Sequence, residues 1–112
     1  MIDSYSFGKI IIEGKTFNSD IIIYQDSIDK KWWRKESHLL QKEDLSDVIK
    51  HKPEILLVGT GQPGLMEIPE ETKRFVKSKG IKLIVNNTET ACKTYNKLRS
   101  KNKVIAVLHL TC

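Results

Sequence analysis

The chain has 112 residues, of which 39% are hydrophobic and 29% charged, the balance of one soluble globular domain over residues 1–112. No apolar run approaches the roughly 20 residues that cross a bilayer, and two cysteines are too few for a disulfide framework or a four-ligand zinc site. The net charge is +5, but the cations are interleaved with acids, as in Glu70-Glu71-Thr72-Lys73-Arg74, and no RNA-binding aromatic motif or helix-turn-helix spacing accompanies them, so they read as a solvated face and not as a nucleic-acid footprint.

Met1-Ile2-Asp3-Ser4-Tyr5 lacks the basic-then-apolar pattern of a secretion signal, so the expected compartment is the cytoplasm, with both thiols free. The first third reads as a β meander. Phe7–Ile12 is a strand, Glu13-Gly14-Lys15 turns it into Thr16-Phe17, and Ile21–Tyr24 is the next strand. Residues 25–30 are polar and turn-forming, and Lys31-Trp32-Trp33-Arg34 reads as a short extended piece pairing back on the preceding strand. Residues 36–41 are a loop. Lys42–Lys50 is a short helix with Leu45, Val48 and Ile49 inward, acids in its first turn, and Pro53 to stop it.

Ile55-Leu56-Leu57-Val58, bounded by Pro53 and Gly59, reads as a strand buried on both faces and the centre of the sheet. It runs into the glycine-rich loop Gly59-Thr60-Gly61-Gln62-Pro63-Gly64. Pro69 opens a second helix with Thr72, Phe75 and Val76 inward, ended by Gly80. Ile81–Val85 is a strand, Thr88 is expected to cap a third helix carrying the stripe Ala91, Cys92, Tyr95 and Leu98, and residues 103–110 form the last strand. Strand–helix–strand–helix–strand with short links makes the three C-terminal strands parallel. The glycine loop, Asn86-Asn87-Thr88 and residues 109–112 then share the carboxyl edge, where open α/β sheets place ligands.

Gly59, Thr60, Gly61, Gly64, Asn86, Asn87 and Thr88 are therefore candidate lining for a small-molecule or anion pocket made of bare amides. The loop matches G-x-G-x-x-G in form, but Pro63 precedes the third glycine and no helix opens beneath it, so a simple glycine-rich turn is a better account than a nucleotide site. Cys92, within a turn of a helix start, and Cys112, near His109, are the thiol candidates. Cys92 also fits the apolar stripe, and residues 109 and 112 on a strand point to opposite faces. Trp32, Trp33 and Arg34 are the candidate partner contact: adjacent strand residues face opposite ways, so one indole enters the core while the other is left beside an arginine. His38 and His51 lack metal-ligand spacing, and no metal or cofactor is expected.

Trp33-Arg34, His38, Asp44-Leu45, Val58-Gly59-Thr60-Gly61, Thr88, Ala91, Tyr95-Asn96, Leu98 and His109-Leu110-Thr111-Cys112 form an ordered set across nearly the whole chain. In them the sequence resembles the Mth-domain family of unknown function, small single-domain proteins that include the adipogenesis-associated Mth-domain-containing protein and a mitochondrial complex I assembly factor. It is more similar to the adipogenesis-associated branch. The resemblance implies a three-layer α/β fold, a mixed central sheet and a β-rich N-terminal layer, with no established enzymatic activity and no known cofactor.

Residues and resemblance together lead to an α/β domain that acts as a non-enzymatic, cytoplasmic interaction or assembly-factor-like protein with a protein partner. The alternative is a small-molecule or anion-binding protein using the glycine loop. Neither a nucleic acid nor a membrane is expected as a partner.

Overall fold

Burial along β6 (Ile55–Gly59) is complete, as the unbroken apolar run requires of a strand covered on both faces. In the computed structural model, which describes residues 1–112, β6 lies parallel to β7 (Lys82–Asn86) on one side and to β8 (Val104–Leu108) on the other. β4 (Ile21–Ile23) pairs antiparallel with the far side of β8, and β5 (Ile28–Asp29) closes that edge. The sheet order is β5-β4-β8-β6-β7, so β8 is the middle strand and β6 its neighbour. A second, antiparallel sheet comprises β1 (Ile2–Ser6), β2 (Lys9–Ile12) and β3 (Lys15–Phe17).

Side-chain alternation divides the molecule into three layers. Ile55 and Leu57 of β6, with Val104, Ala106 and Leu108 of β8, pack on one face against β1–β3 and α3 (Thr88–Leu98). Leu56, Val58, Ile105 and Val107 pack on the other, against α2 (Glu70–Ser78), Trp32, Leu40 and a helical turn, Lys42–Leu45, that continues as α1 (Ser46–Lys50). The fold is thus the expected α/β arrangement: a mixed sheet with parallel C-terminal strands, under a β-rich N-terminal layer.

Several local expectations change. Phe7 and Gly8 form a turn, and the strand before it, β1, is held by reciprocal bonds: the Ile2 amide donates to Asn96 Oδ1 and Asn96 Nδ2 donates to the Ile2 oxygen, both at 2.8 Å. The pairing on β4 is made by Ile28–Asp29, inside the supposed polar turn, and Trp32–Arg34 is irregular. The helix over 42–50 divides into a tight 3₁₀ turn and a short α-helix. Asn87, not Thr88, caps α3, accepting from the Thr90 amide at 2.9 Å, because Thr88 is buried as the first helical residue and its hydroxyl is used elsewhere.

Candidate functional site

The carboxyl edge gathers the three loops, as parallel strands require. The Thr60 amide donates to the Asn86 oxygen at 2.9 Å, and the Gln62 amide to the Thr111 oxygen at 2.7 Å. Thr88 joins all three: its Oγ1 accepts from the Gly61 amide at 2.8 Å and donates to the His109 oxygen at 2.5 Å. The Leu65 amide donates to the Cys112 oxygen at 2.7 Å and the Met66 amide to the Thr60 oxygen at 3.1 Å. Gly61, at φ +98°, lies so close to the 111–112 backbone that an added Cβ would sit 2.5 Å from the Thr111 oxygen. The amides of Thr60, Gly61, Gln62, Leu65 and Met66 are therefore engaged inside the chain, and the 111–112 backbone occupies the space beside Gly61. Asn87 is also committed, capping α3, whereas Asn86 Oδ1 lies 3.4 Å from a Thr94 hydroxyl that donates to the Thr90 oxygen at 3.0 Å.

On the α2 face of the same edge stands a cluster drawn from three distant parts of the chain. Arg34 Nη2 donates to Asp20 Oδ2 at 2.8 Å and to the Ser37 oxygen at 2.7 Å. His109 Nδ1 lies 2.8 Å from the same carboxylate oxygen, and the Leu110 amide donates to Asp20 Oδ1 at 2.8 Å. An ionised carboxylate only accepts, so Nδ1 carries the hydrogen, and the 3.1 Å approach of Arg34 Nη2 to Nδ1 is two donors sharing one oxygen. Burial acts to raise the Asp20 carboxyl, but the bonds from His109, the Leu110 amide and Arg34 outweigh it and hold the group below its ordinary range. Arg34 Nε and Nη1 and His109 Nε2 are buried without a partner. The His38 and His109 rings meet in a T-shaped arrangement, with centroids 5.6 Å apart.

This cluster fixes the segment that bears the tryptophans. Trp32 is buried, with the Arg34 guanidinium 4.5 Å from its ring centre and its indole N–H directed to the Asp44 oxygen at 3.4 Å. Trp33, between these two anchored residues, is 75% exposed. One indole goes in and one stays out, as the alternation demands, although no strand forms. Phe7, Leu65 and Val85 are also exposed, each one residue or one hydrogen bond from this edge: Gly8 donates to the Leu110 oxygen, Leu65 to Cys112, and Val85 precedes Asn86.

The structure does not bring the thiols together with His109 as a reactive group. Cys92 lies in the α3 stripe, where burial, and secondarily Glu89, pushes its thiol up to about 12, away from thiolate. Cys112 is half-buried beside the glycine loop. His51 stacks near Tyr24 at the opposite end of the sheet, with ring centres 4.4 Å apart.

Sequence reasoning named Arg34 but missed its partners Asp20 and His109. The available signal was register: His109 continues the alternate set Ile105, Val107 and so belongs to a buried face, and Asp20 stands directly before the fully buried run Ile21–Ile23.

With the geometry in place, comparison with known proteins gives the family. The chain is 32% identical over 111 residues, 93% of its own length and 85% of the other's, to the "13 kDa major membrane protein" of Francisella tularensis subsp. holarctica (strain LVS). Its fold matches that of a conserved hypothetical protein from Pyrococcus horikoshii OT3 with TM-score 0.86 and 30% identity, covering 100% of this chain and 99% of that one. An outer membrane protein from Bartonella henselae matches with TM-score 0.84 and 27% identity over 99% and 94% of the two chains. A Bordetella pertussis protein described as a Mth938-like domain, 18% identical over 98% and 85% of the chains with TM-score 0.70, shares the fold alone. Residues 2–109 match a family described as a protein of unknown function, DUF498/DUF598, and the chain belongs to it.

Proposed function

We propose that this domain is a non-enzymatic interaction or assembly-factor-like protein that meets a protein partner through the Trp32–Arg34 segment on the carboxyl edge. The observation that carries the reading is Trp33, held in solvent between two anchored neighbours. A large indole on backbone already ordered loses little entropy on docking, which is what makes tryptophan and arginine frequent centres of binding energy. The Asp20–Arg34–His109 cluster is spent on holding that backbone. The other exposed apolar residues of this edge, Phe7, Leu65 and Val85, extend the surface available to a partner.

The test is affinity capture with the whole chain from cells that produce it, followed by binding measurements with the purified captured protein. Trp33→Ala is expected to weaken binding by about 2 kcal/mol, roughly thirtyfold, while leaving the melting temperature unchanged. Equal binding by Trp33→Ala would overturn the reading.

The anion-binding alternative at Gly59, Thr60, Gly61, Gly64, Asn86, Asn87 and Thr88 draws less support, because the amides of Thr60, Gly61, Gln62, Leu65 and Met66 already donate within the chain. Inorganic phosphate and nucleotides are accordingly expected to leave the melting temperature where it is. A cytoplasmic setting goes with this reading. The Francisella and Bartonella proteins are named for membranes, and no helix of this chain is long and apolar enough to cross one.

A further inference from the structure

Beside Trp33, on the α1 side, lies an open cleft of about 550 Å³. Its charge runs against that of the molecule. Asp29, Glu43, Asp44 and Asp47 line it with only Lys31 and Lys35 in opposition, whereas the whole chain has 19 lysines and arginines against 14 acids. Two of the four carboxylates are aimed by the backbone. Asp29 Oδ1 accepts from the Lys31 amide at 3.0 Å, and Asp44 accepts from the Gln41 amide at 2.9 Å and the Lys35 amide at 3.3 Å. Glu43 makes no ion pair, and Asp47 has only a loose one, 3.9 Å to Lys50. Four carboxylates against two ammonium groups leave the cleft an excess of negative charge around an exposed indole.

Resting on the partner reading above, we infer that the cleft seats a cationic segment of the partner protein, an arginine- or lysine-bearing stretch with one guanidinium or ammonium over Trp33 and others facing Glu43 and Asp47. An indole face is the strongest aromatic acceptor for a cation, and a guanidinium, weakly hydrated and planar, stacks there at the lowest desolvation cost. The same field repels acidic partners and steers basic ones toward the cleft. The size suits two or three side chains of an extended peptide.

The probe is tetra-arginine amide titrated into the intact protein while tryptophan emission is followed, with Trp33→Phe separating the signal of Trp33 from that of Trp32, which also lines the cleft. The expected result is a saturable change with a midpoint below about 1 mM. It weakens at least about threefold between about 50 and about 200 mM salt. The response is expected to be lost in the pair Glu43→Gln with Asp47→Asn, kept in Glu70→Gln with Glu71→Gln on α2, and absent with tetra-glutamate. No saturable response, or equal responses in the two double variants, would overturn the inference. So would a concentration-dependent dimer, seen by sedimentation and broken by the cleft variants, since a second copy would then be the occupant. If Trp33→Ala loses a captured partner while tetra-arginine does not bind, the cation chemistry fails and the interaction reading stands. Tetra-arginine binding with a captured partner indifferent to Trp33→Ala gives the reverse.

Discussion

At the scale of single residues, Arg34 and Asp20 show how one buried ion pair can decide the course of a loop. The Arg34 side chain is 3% exposed and that of Asp20 19%, so removing one partner leaves the other poorly solvated. Arg34→Met is expected to cost about 3 kcal/mol in urea unfolding, because it strands the carboxylate and frees the Ser37 contact as well. The pH dependence follows from Asp20. A carboxyl whose folded pKa lies below its unfolded value adds stability above that value and gives it up as pH falls through the folded one. Stability should therefore drop from near pH 3.8 downward, and the drop should be shallower in Asp20→Asn, measured by denaturation at a series of acid pH values. Cysteine reactivity divides the same way. Iodoacetamide at neutral pH is expected to modify half-buried Cys112 well before Cys92, whose thiol is held protonated in the α3 stripe; mass mapping of the labelled sites that found Cys92 first would contradict its placement.

Among the elements, the long periodic ones were legible from residues alone. β6, α2, β7, α3 and β8 carry unbroken apolar runs or clear helical stripes, and local pattern and tertiary burial agree in all but β7, an edge strand with no fully buried residue. The N-terminal third was less so, for a physical reason. β1 offers only Ile2 and Tyr5 as apolar residues, and its position depends on Asn96, 94 residues away. β5 is two residues long. Trp32–Arg34 has strand-like composition, but a buried guanidinium donating to Asp20 and Ser37 overrides that preference. The glycine loop lies at the expected edge, yet the amides of Thr60, Gly61 and Gln62 are occupied by Asn86, Thr88 and Thr111, far along the chain, which no local pattern announces. Thr88 is the knot between these elements. Thr88→Val keeps its shape and removes both bonds, leaving the Gly61 amide and the His109 oxygen without partners, at an expected cost of about 2–3 kcal/mol, while Thr88→Ser should retain most of the stability. Gly61→Ala should be at least as damaging in the same melts, since its φ and the 111–112 backbone both exclude a Cβ.

Taken whole, the molecule is a sheet with a core on each side and its functional candidates crowded on one edge. Phe7, Trp33, Leu65 and Val85 emerge at that edge, whereas Met1 is the only other large exposed apolar residue. Both cores reach the edge through β8: Leu108 and Leu110 belong to one and Val107 to the other, with His109 between them. Exposed Trp33 is flanked in the chain by buried Trp32 and Arg34, which is why a surface variant such as Trp33→Ala, and not one in the cluster beneath, is the informative substitution.

The strand order has a bearing on how the protein is made. β8 is the last of the eight strands to be synthesised and yet lies between β4 and β6. Until residues 104–108 clear the ribosome, the meander and the β6–β7 unit are two unfinished pieces, each offering a bare strand flank with nothing to close it. Nascent chains arrested before Val104 should be digested rapidly by added protease, and chains arrested far enough beyond Leu108 to release it should resist. A polypeptide whose eighth strand joins the fourth to the sixth leaves their flanks open until it arrives, and in that interval it would depend on chaperones to shield them.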